Sequence, residues 1–235
     1  MWFDKQKLVD ATHALKGRAQ AILHPNAAHR VFGVPLEEVP DGAEIAYFAM
    51  GCFWGAERIF WRLAGVVNTA VGYQGGFTPN PTYEEVCSGR TGHAEVVRVV
   101  FDPSKIGYSE LVKAFFENHD PTQRNRQGND VGTQYRSAIF TTSAEQAAAA
   151  ESTRSAFAEV VATAVGRQVT TEIAPAGAFY LAEGYHQQYL ESNPNGYCNH
   201  GPNGLTCPIG VANLPAQTDV LPPTAGAGSS SAAEG

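Results

Sequence analysis

The chain has 235 residues, 43% of them hydrophobic and 17% charged, with 16 Lys+Arg against 23 Asp+Glu and a formal charge of −7. That composition can bury a core in one domain plus extensions, and it argues against a chain disordered throughout. An acidic balance without basic clusters speaks against nucleic acid or an anionic membrane as partner. Four cysteines are too few for a disulfide scaffold of this length, and the two methionines, Met1 and Met50, are sparse.

At the N-terminus Asp4, Lys5, Lys7 and Asp10 interrupt any apolar run, so no secretory signal is expected. No stretch reaches the ~20 apolar residues of a membrane helix. A soluble cytoplasmic protein is expected, with thiols that are reduced or catalytic. Residues 1–42 read as an extension, a short helical pattern followed by a Pro-bearing loop, and 43–212 as the core domain. Residues 213–235, rich in Pro, Ala, Gly and Ser, read as a disordered tail.

The apolar run 44–50 predicts a buried strand ending at Gly51. Ala56, Ile59, Phe60 and Leu63 stand at helical spacing, and Gly65 supplies the stop. Residues 66–73 predict a second strand, leading into a Gly/Pro loop, and 93–102 a third, closed by Pro103. A helix is expected over 108–119, a strand over 135–142, and a long helix to about Val161 opened by Ser143 and Gln146 as a capping pair. Residues 169–174 predict a fifth strand and 182–192 a last helix. The interleaving favours an α+β, two-layer sandwich with a mixed sheet.

Cys52 sits in GCFWGAE, between a predicted strand and a predicted helix. A thiol in the first turn of a helix faces unpaired N–H groups that favour the thiolate, and Gly51 and Gly55 leave room for a substrate. The alternative is a buried structural cysteine. Cys198 and Cys207 lie in a Gly- and Pro-rich stretch without periodicity, expected to be mobile. Two thiols on such an arm suggest thiol–disulfide relay; Cys198, His200 and Cys207 as zinc ligands form a competing reading. Cys87 has no evident partner.

Alternation in the strand 93–102 places Glu95 on the face of Val97, Val99 and Phe101. A carboxyl on an apolar face holds its proton and can act as a general acid; an edge glutamate reaching solvent is the plain alternative. Phe53, Trp54, Tyr73, Tyr83 and Tyr135 crowd the same segments and could wall an apolar pocket with phenolic donors. A Cys–His hydrolase using His93, His119 or His186, and a non-catalytic aromatic cage, remain open on these residues alone.

Taken together, the segments GCFWGAE (51–57), GYQGGFTPNPTYEEVCSGRTGHAEVVRVVFDP (72–103), HDPTQRNRQGNDVGTQYRSAI (119–139) and GYCNHGPNGLTCP (196–208) resemble the A-type peptide methionine sulfoxide reductases, most of all the bacterial branch with two C-terminal recycling cysteines. The resemblance implies a ferredoxin-like α+β fold with a long irregular C-terminal arm, and reduction of methionine S-sulfoxide, free or in proteins. It implies Cys52 as nucleophile, protonated Glu95 as acid, and Tyr83 and Tyr135 as donors to the sulfoxide oxygen. Phe53 and Trp54 would hold the methyl group, and Asp130 would line the site. Cys198 would condense with a Cys52 sulfenic acid, and Cys207 would pass the disulfide to thioredoxin. No metal and no organic cofactor is implied, and a monomer is expected. The arm departs from the usual glycine-rich pattern in carrying Asn199, His200, Pro202 and Asn203.

Overall fold

A computed structural model describes residues 5–23 and 27–208. The expected tail, 213–235, lies outside the described residues. The elements run β1 (Glu44–Met50), α1 (Phe53–Trp61), β2 (Val66–Gln74), α2 (Tyr83–Cys87), β3 (Ala94–Phe101), α3 (Tyr108–Glu117), β4 (Arg126–Gln127), β5 (Asp130–Val131), β6 (Ser137–Thr141), α4 (Ala144–Val165), β7 (Glu172–Pro175), β8 (Tyr180–Leu181) and α5 (Tyr189–Ser192).

Six strands form one mixed sheet in the order β7-β6-β1-β3-β2-β8. Its pairs are antiparallel except β6 with β7, which run parallel across the long α4 connection. One face carries the main core. Phe48 of β1, Val97, Val99 and Phe101 of β3 and Ile139 of β6 pack against Phe60 of α1, Phe115 and Phe116 of α3 and Phe157 of α4. Phe48 stacks on Phe60 with centroids 4.8 Å apart. Each of these fully buried aliphatic or aromatic side chains is worth about 1.5–3 kcal/mol relative to solvent. The result is the expected two-layer α+β sandwich, and all eight residues of β3 are buried because it is a central strand.

The extension is a strap bound to this unit. Residues 5–23 form turns rather than the expected helical pattern. Leu15 and Arg18 bond to Arg90, Pro79, Asn80 and Glu85, and the carbonyl of Leu36 accepts from both Asn68 and Arg98. His29 is buried and reaches Thr69 Oγ1 at 2.8 Å.

Three further expectations shift. The last helix is only Tyr189–Ser192, because residues 184–188 form a turn ending in Gln188 at φ +46°. Tyr135 does not open a strand but ends a 3-10 turn, Thr133–Tyr135, just before β6. Past the Gly/Pro loop expected at 74–81, in a stretch where no element was expected, Thr82 and Glu85 form a capping box that starts α2.

Candidate active site

β1 ends at Met50, and the chain turns through Gly51 at φ +99° to make Cys52 the N-cap of α1. A side chain at Gly51 would be strained, and its Cβ would meet Cβ of Gln127 at 2.6 Å. Cys52 is 7% exposed. The N–H groups of Trp54 and Gly55 favour its thiolate, as expected at a helix N-terminus. Burial outweighs them, the Glu95 and Asp130 charges add to it, and the thiol is pushed up rather than down. Helix position alone misjudged this sign because it ignored desolvation.

Glu95 follows from the pleat of β3. It shares the helix-side face with Val97, Val99 and Phe101, and is 2% exposed. Its Oε2 accepts from the backbone N–H of Phe53, the first residue of α1, at 3.0 Å. Burial raises this carboxyl to about 8, opposed by the Phe53 bond and reinforced by Asp130. The edge alternative is thereby removed, and a neutral carboxylic acid stands beside the thiol at neutral pH.

Around this pair the aromatic side chains assemble. Trp54 stacks on Tyr189 with centroids 3.9 Å apart, and its Nε1–H donates to His186 Nδ1 at 2.9 Å. Burial lowers His186 to about 4, so its ring is neutral and Nδ1 is free to accept. His186 touches Phe53 and Tyr83 at 5.1 and 4.6 Å. Phe53 is 1% exposed, so it is more core than cage wall. The Tyr83 hydroxyl neighbours Tyr135 and Cys87, and burial raises both phenols. Cys87, read as a bystander, thus flanks the tyrosine pair, itself raised to about 11 by burial.

Several residues were not singled out from sequence. Glu183 accepts from Tyr73 Oη and from the N–H of Tyr83. Glu57, fully buried and raised by burial to about 7, accepts from Thr69 Oγ1 and from the backbone and side-chain N–H groups of Gln188. The consecutive glutamines 187 and 188 are both buried, but their partners Val71 and Glu57 lie 116 and 131 residues away, so no local signal marked them.

The arm is irregular, as expected, but docked. Tyr197 and Asn199 donate to the Asp130 carboxylate, Asn199 at 2.7 Å. Asn203 Nδ2 donates to the carbonyls of Phe116 and His119. Cys207 is 2% exposed, its N–H held by Glu117. The residues that depart from a glycine-rich arm are those that tie it down. Cys198 instead lies over α1: a Cβ on Gly55 would meet its Sγ at 2.8 Å and His200 Nδ1 at 2.5 Å. The room left by Gly55 is therefore filled by the arm.

The competing readings separate on this geometry. Cys207 lies against α3 while Cys198 and His200 lie against α1, and among the described residues no three His, Cys, Asp or Glu converge as a metal site. His93 and His119 have both ring nitrogens engaged elsewhere. A concavity lined by apolar Val39, Ile45 and Ala149 and by polar Glu44, Ser143 and Gln146 holds none of the candidate site residues.

The sequence pattern of a family described as peptide methionine sulfoxide reductase matches residues 44–206. Peptide methionine sulfoxide reductase MsrA of Salinispora arenicola is 63% identical over 88% of this chain and 96% of its own length. The protein of that name from Vibrio cholerae is 56% identical, over 87% and 97%. Among solved structures, methionine sulfoxide reductase A of Corynebacterium diphtheriae superposes with a TM-score of 0.78 at 47% identity, over 86% of this chain and 98% of that one. Reduced Mxr1 of Saccharomyces cerevisiae gives 0.62 at 36%, over 73% and 93%.

Proposed function

The chain belongs to the peptide methionine sulfoxide reductase family, and from that premise we propose how its own residues carry the reaction. The enzyme reduces methionine sulfoxide, an oxidoreductase activity. Our reading assigns it the S epimer, in proteins and free, with Cys52 as the nucleophile. The observation that carries this is the pairing of Cys52 with a carboxyl raised to about 8 and held at the first N–H of α1.

A sulfoxide oxygen leaves sulfur only as it gains a proton. Glu95, neutral at pH 7, supplies it, and Tyr83 and Tyr135 hydrogen-bond the oxygen. Trp54, fixed by His186 and Tyr189, and the edge of Phe53 receive the methyl group. Asp130 holds the arm at the mouth of the site. Cys52 sulfur takes the oxygen and becomes a sulfenic acid, while the substrate sulfur is reduced to the thioether.

Cys198 then forms a disulfide with Cys52 as water leaves. Cys207 displaces Cys52 from that disulfide, and a thioredoxin-type dithiol reduces the 198–207 pair. The placement of Cys198 over the first turn of α1 supports its acting first. Cys207, held against α3, must undock before its turn comes.

Two measurements test the reading. With dithiothreitol, the S epimer of methionine sulfoxide should turn over and the R epimer should not; equal activity on both refutes the assignment. One equivalent of substrate without reductant should lower the intact mass by about two hydrogens, the signature of two thiols joined as a disulfide.

A further inference from the structure

His200 is not used by any step above, yet it is built into the site. Its Nε2 lies 2.6 Å from the carbonyl oxygen of Met50, the last residue of β1. A carbonyl only accepts, so Nε2 carries the hydrogen and Nδ1 bears the lone pair. Nδ1 is buried and has no hydrogen-bond partner. It faces Gly55: one point, the place of a Cβ there, is 2.5 Å from His200 Nδ1 and 2.8 Å from Cys198 Sγ. Burial holds the ring near 4, opposed by the Met50 bond and assisted by Arg58 of α1, so the imidazole is neutral and the Nδ1 lone pair is open to a proton at neutral pH. A buried acceptor left without a donor is costly, and here it looks onto the side of α1 where the Cys198 thiol lies.

We propose that His200 Nδ1 is the proton acceptor for Cys198 when that thiol attacks the oxidised Cys52. The inference rests on the relay reading given above. In the resting state the Cys198 thiol is turned to the carbonyl of His200, 3.7 Å away, so a rotation of its side chain brings the S–H toward the ring. The step balances without an outside reagent. The Cys198 S–H proton moves to Nδ1, the S–S bond to Cys52 forms, and the S–O bond of the sulfenic acid breaks. The departing hydroxide takes the proton back from Nδ1 and leaves as water. Cys198 is oxidised, Cys52 is reduced, and His200 returns to neutral. The Met50 bond fixes which nitrogen is free, and it ties the base to the same strand end that carries Cys52.

The test is a single turnover without reductant on racemic N-acetylmethionine sulfoxide, following methionine release and, by intact mass after acid quench, disulfide formation. His200→Gln keeps a donor for the Met50 carbonyl but no basic nitrogen, so it separates a proton acceptor from a mere latch. The ratio of the disulfide rate to the methionine-release rate should fall roughly 10²- to 10⁴-fold in this variant. His200→Ala should show the same loss, and added imidazole should restore it while pyrazole, of similar shape but far weaker basicity, should not. A ratio equal to wild type in His200→Gln, or equal rescue by pyrazole, overturns the proposal. Wild-type protein that releases methionine but never forms the disulfide refutes the relay itself, and with it this role, whereas intact wild-type relay with an unaffected His200→Gln refutes only the histidine.

Discussion

Replacing Glu95 with glutamine removes the transferable proton and changes the shape of the side chain little. The amide oxygen can still accept from the N–H of Phe53, which the Glu95 carboxyl meets at 3.0 Å. Loss of a general acid should slow methionine release in a single turnover by roughly 10²- to 10⁴-fold. The pH profile carries the sharper test. In the proposed role the protonated form acts, and burial raises this carboxyl to about 8, so wild-type release should be level below that value and fall to about one-tenth of the plateau one unit above it. Glu95→Gln should lack that falling limb.

Stability must change in step. The carboxyl is raised from 4.5 to about 8 by folding, so the folded state keeps a proton that the unfolded chain gives up. Stability present below pH 4.5 is then lost as pH rises toward 8, about 3 kcal/mol of it by pH 7. Urea titrations should show the advantage of Glu95→Gln over wild type growing by that amount between pH 4.5 and 7. A stability difference that does not vary with pH, or a variant that keeps the alkaline limb, would refute the claim that Glu95 is the buried neutral acid.

Gly55→Ala places a methyl group 2.5 Å from His200 Nδ1 and 2.8 Å from Cys198 Sγ; the arm must lift from α1, and rapid-quench mass analysis should show disulfide formation slowed far more than methionine release. Glu57→Ala leaves Thr69 Oγ1 and both N–H donors of Gln188 without their acceptor, so equilibrium urea unfolding should register a loss of about 3 kcal/mol. Asn203→Ala removes two hydrogen bonds to the end of α3, worth about 1 kcal/mol each. The population with Cys207 undocked should rise roughly 30-fold, read as faster maleimide labelling of Cys207; unchanged labelling would show that the arm is not held there.

The sheet was legible because its strands obey simple patterns. The period-2 alternation of 94–101 not only identified β3 but put Glu95 on the correct face, since a central strand has no solvent side to confuse the reading. Ser143 announced α4, and its Oγ accepts from the N–H of Gln146 as the capping pattern requires. What escaped was held by long-range polar contacts. Gln187 lies across from Val71, 116 residues away, and Gln188 bonds Glu57, 131 residues away; nothing local distinguishes these amides from a helix surface. The arm failed for a related reason. Composition gave its irregular backbone, but Asn199 and Asn203 find their acceptors on Asp130, Phe116 and His119, so an absence of periodicity was mistaken for an absence of order.

The charge state of the site limits how its chemistry can run. Cys52 is raised by burial and then by Glu95, and Glu95 is itself raised by burial. Two buried anions side by side would each lose the solvation that made them stable in water, and they would repel as well. The resting site therefore holds two neutral groups, a thiol and an acid. The proposed reaction moves one proton in net terms, from the Cys52 sulfur to the oxygen that ends on that same sulfur. If Glu95 gives its proton to the sulfoxide oxygen before the thiol has released its own, only one anion exists at any moment, and the carboxylate so formed is the base to which the thiol proton can pass. A preformed thiolate would invert that order and face a carboxyl that could no longer ionise cheaply. In the proposed reaction, the burial that raises Cys52 thus couples its activation to the presence of an oxygen able to take the proton of Glu95, and leaves the thiol a poor target for oxidants when no sulfoxide is bound.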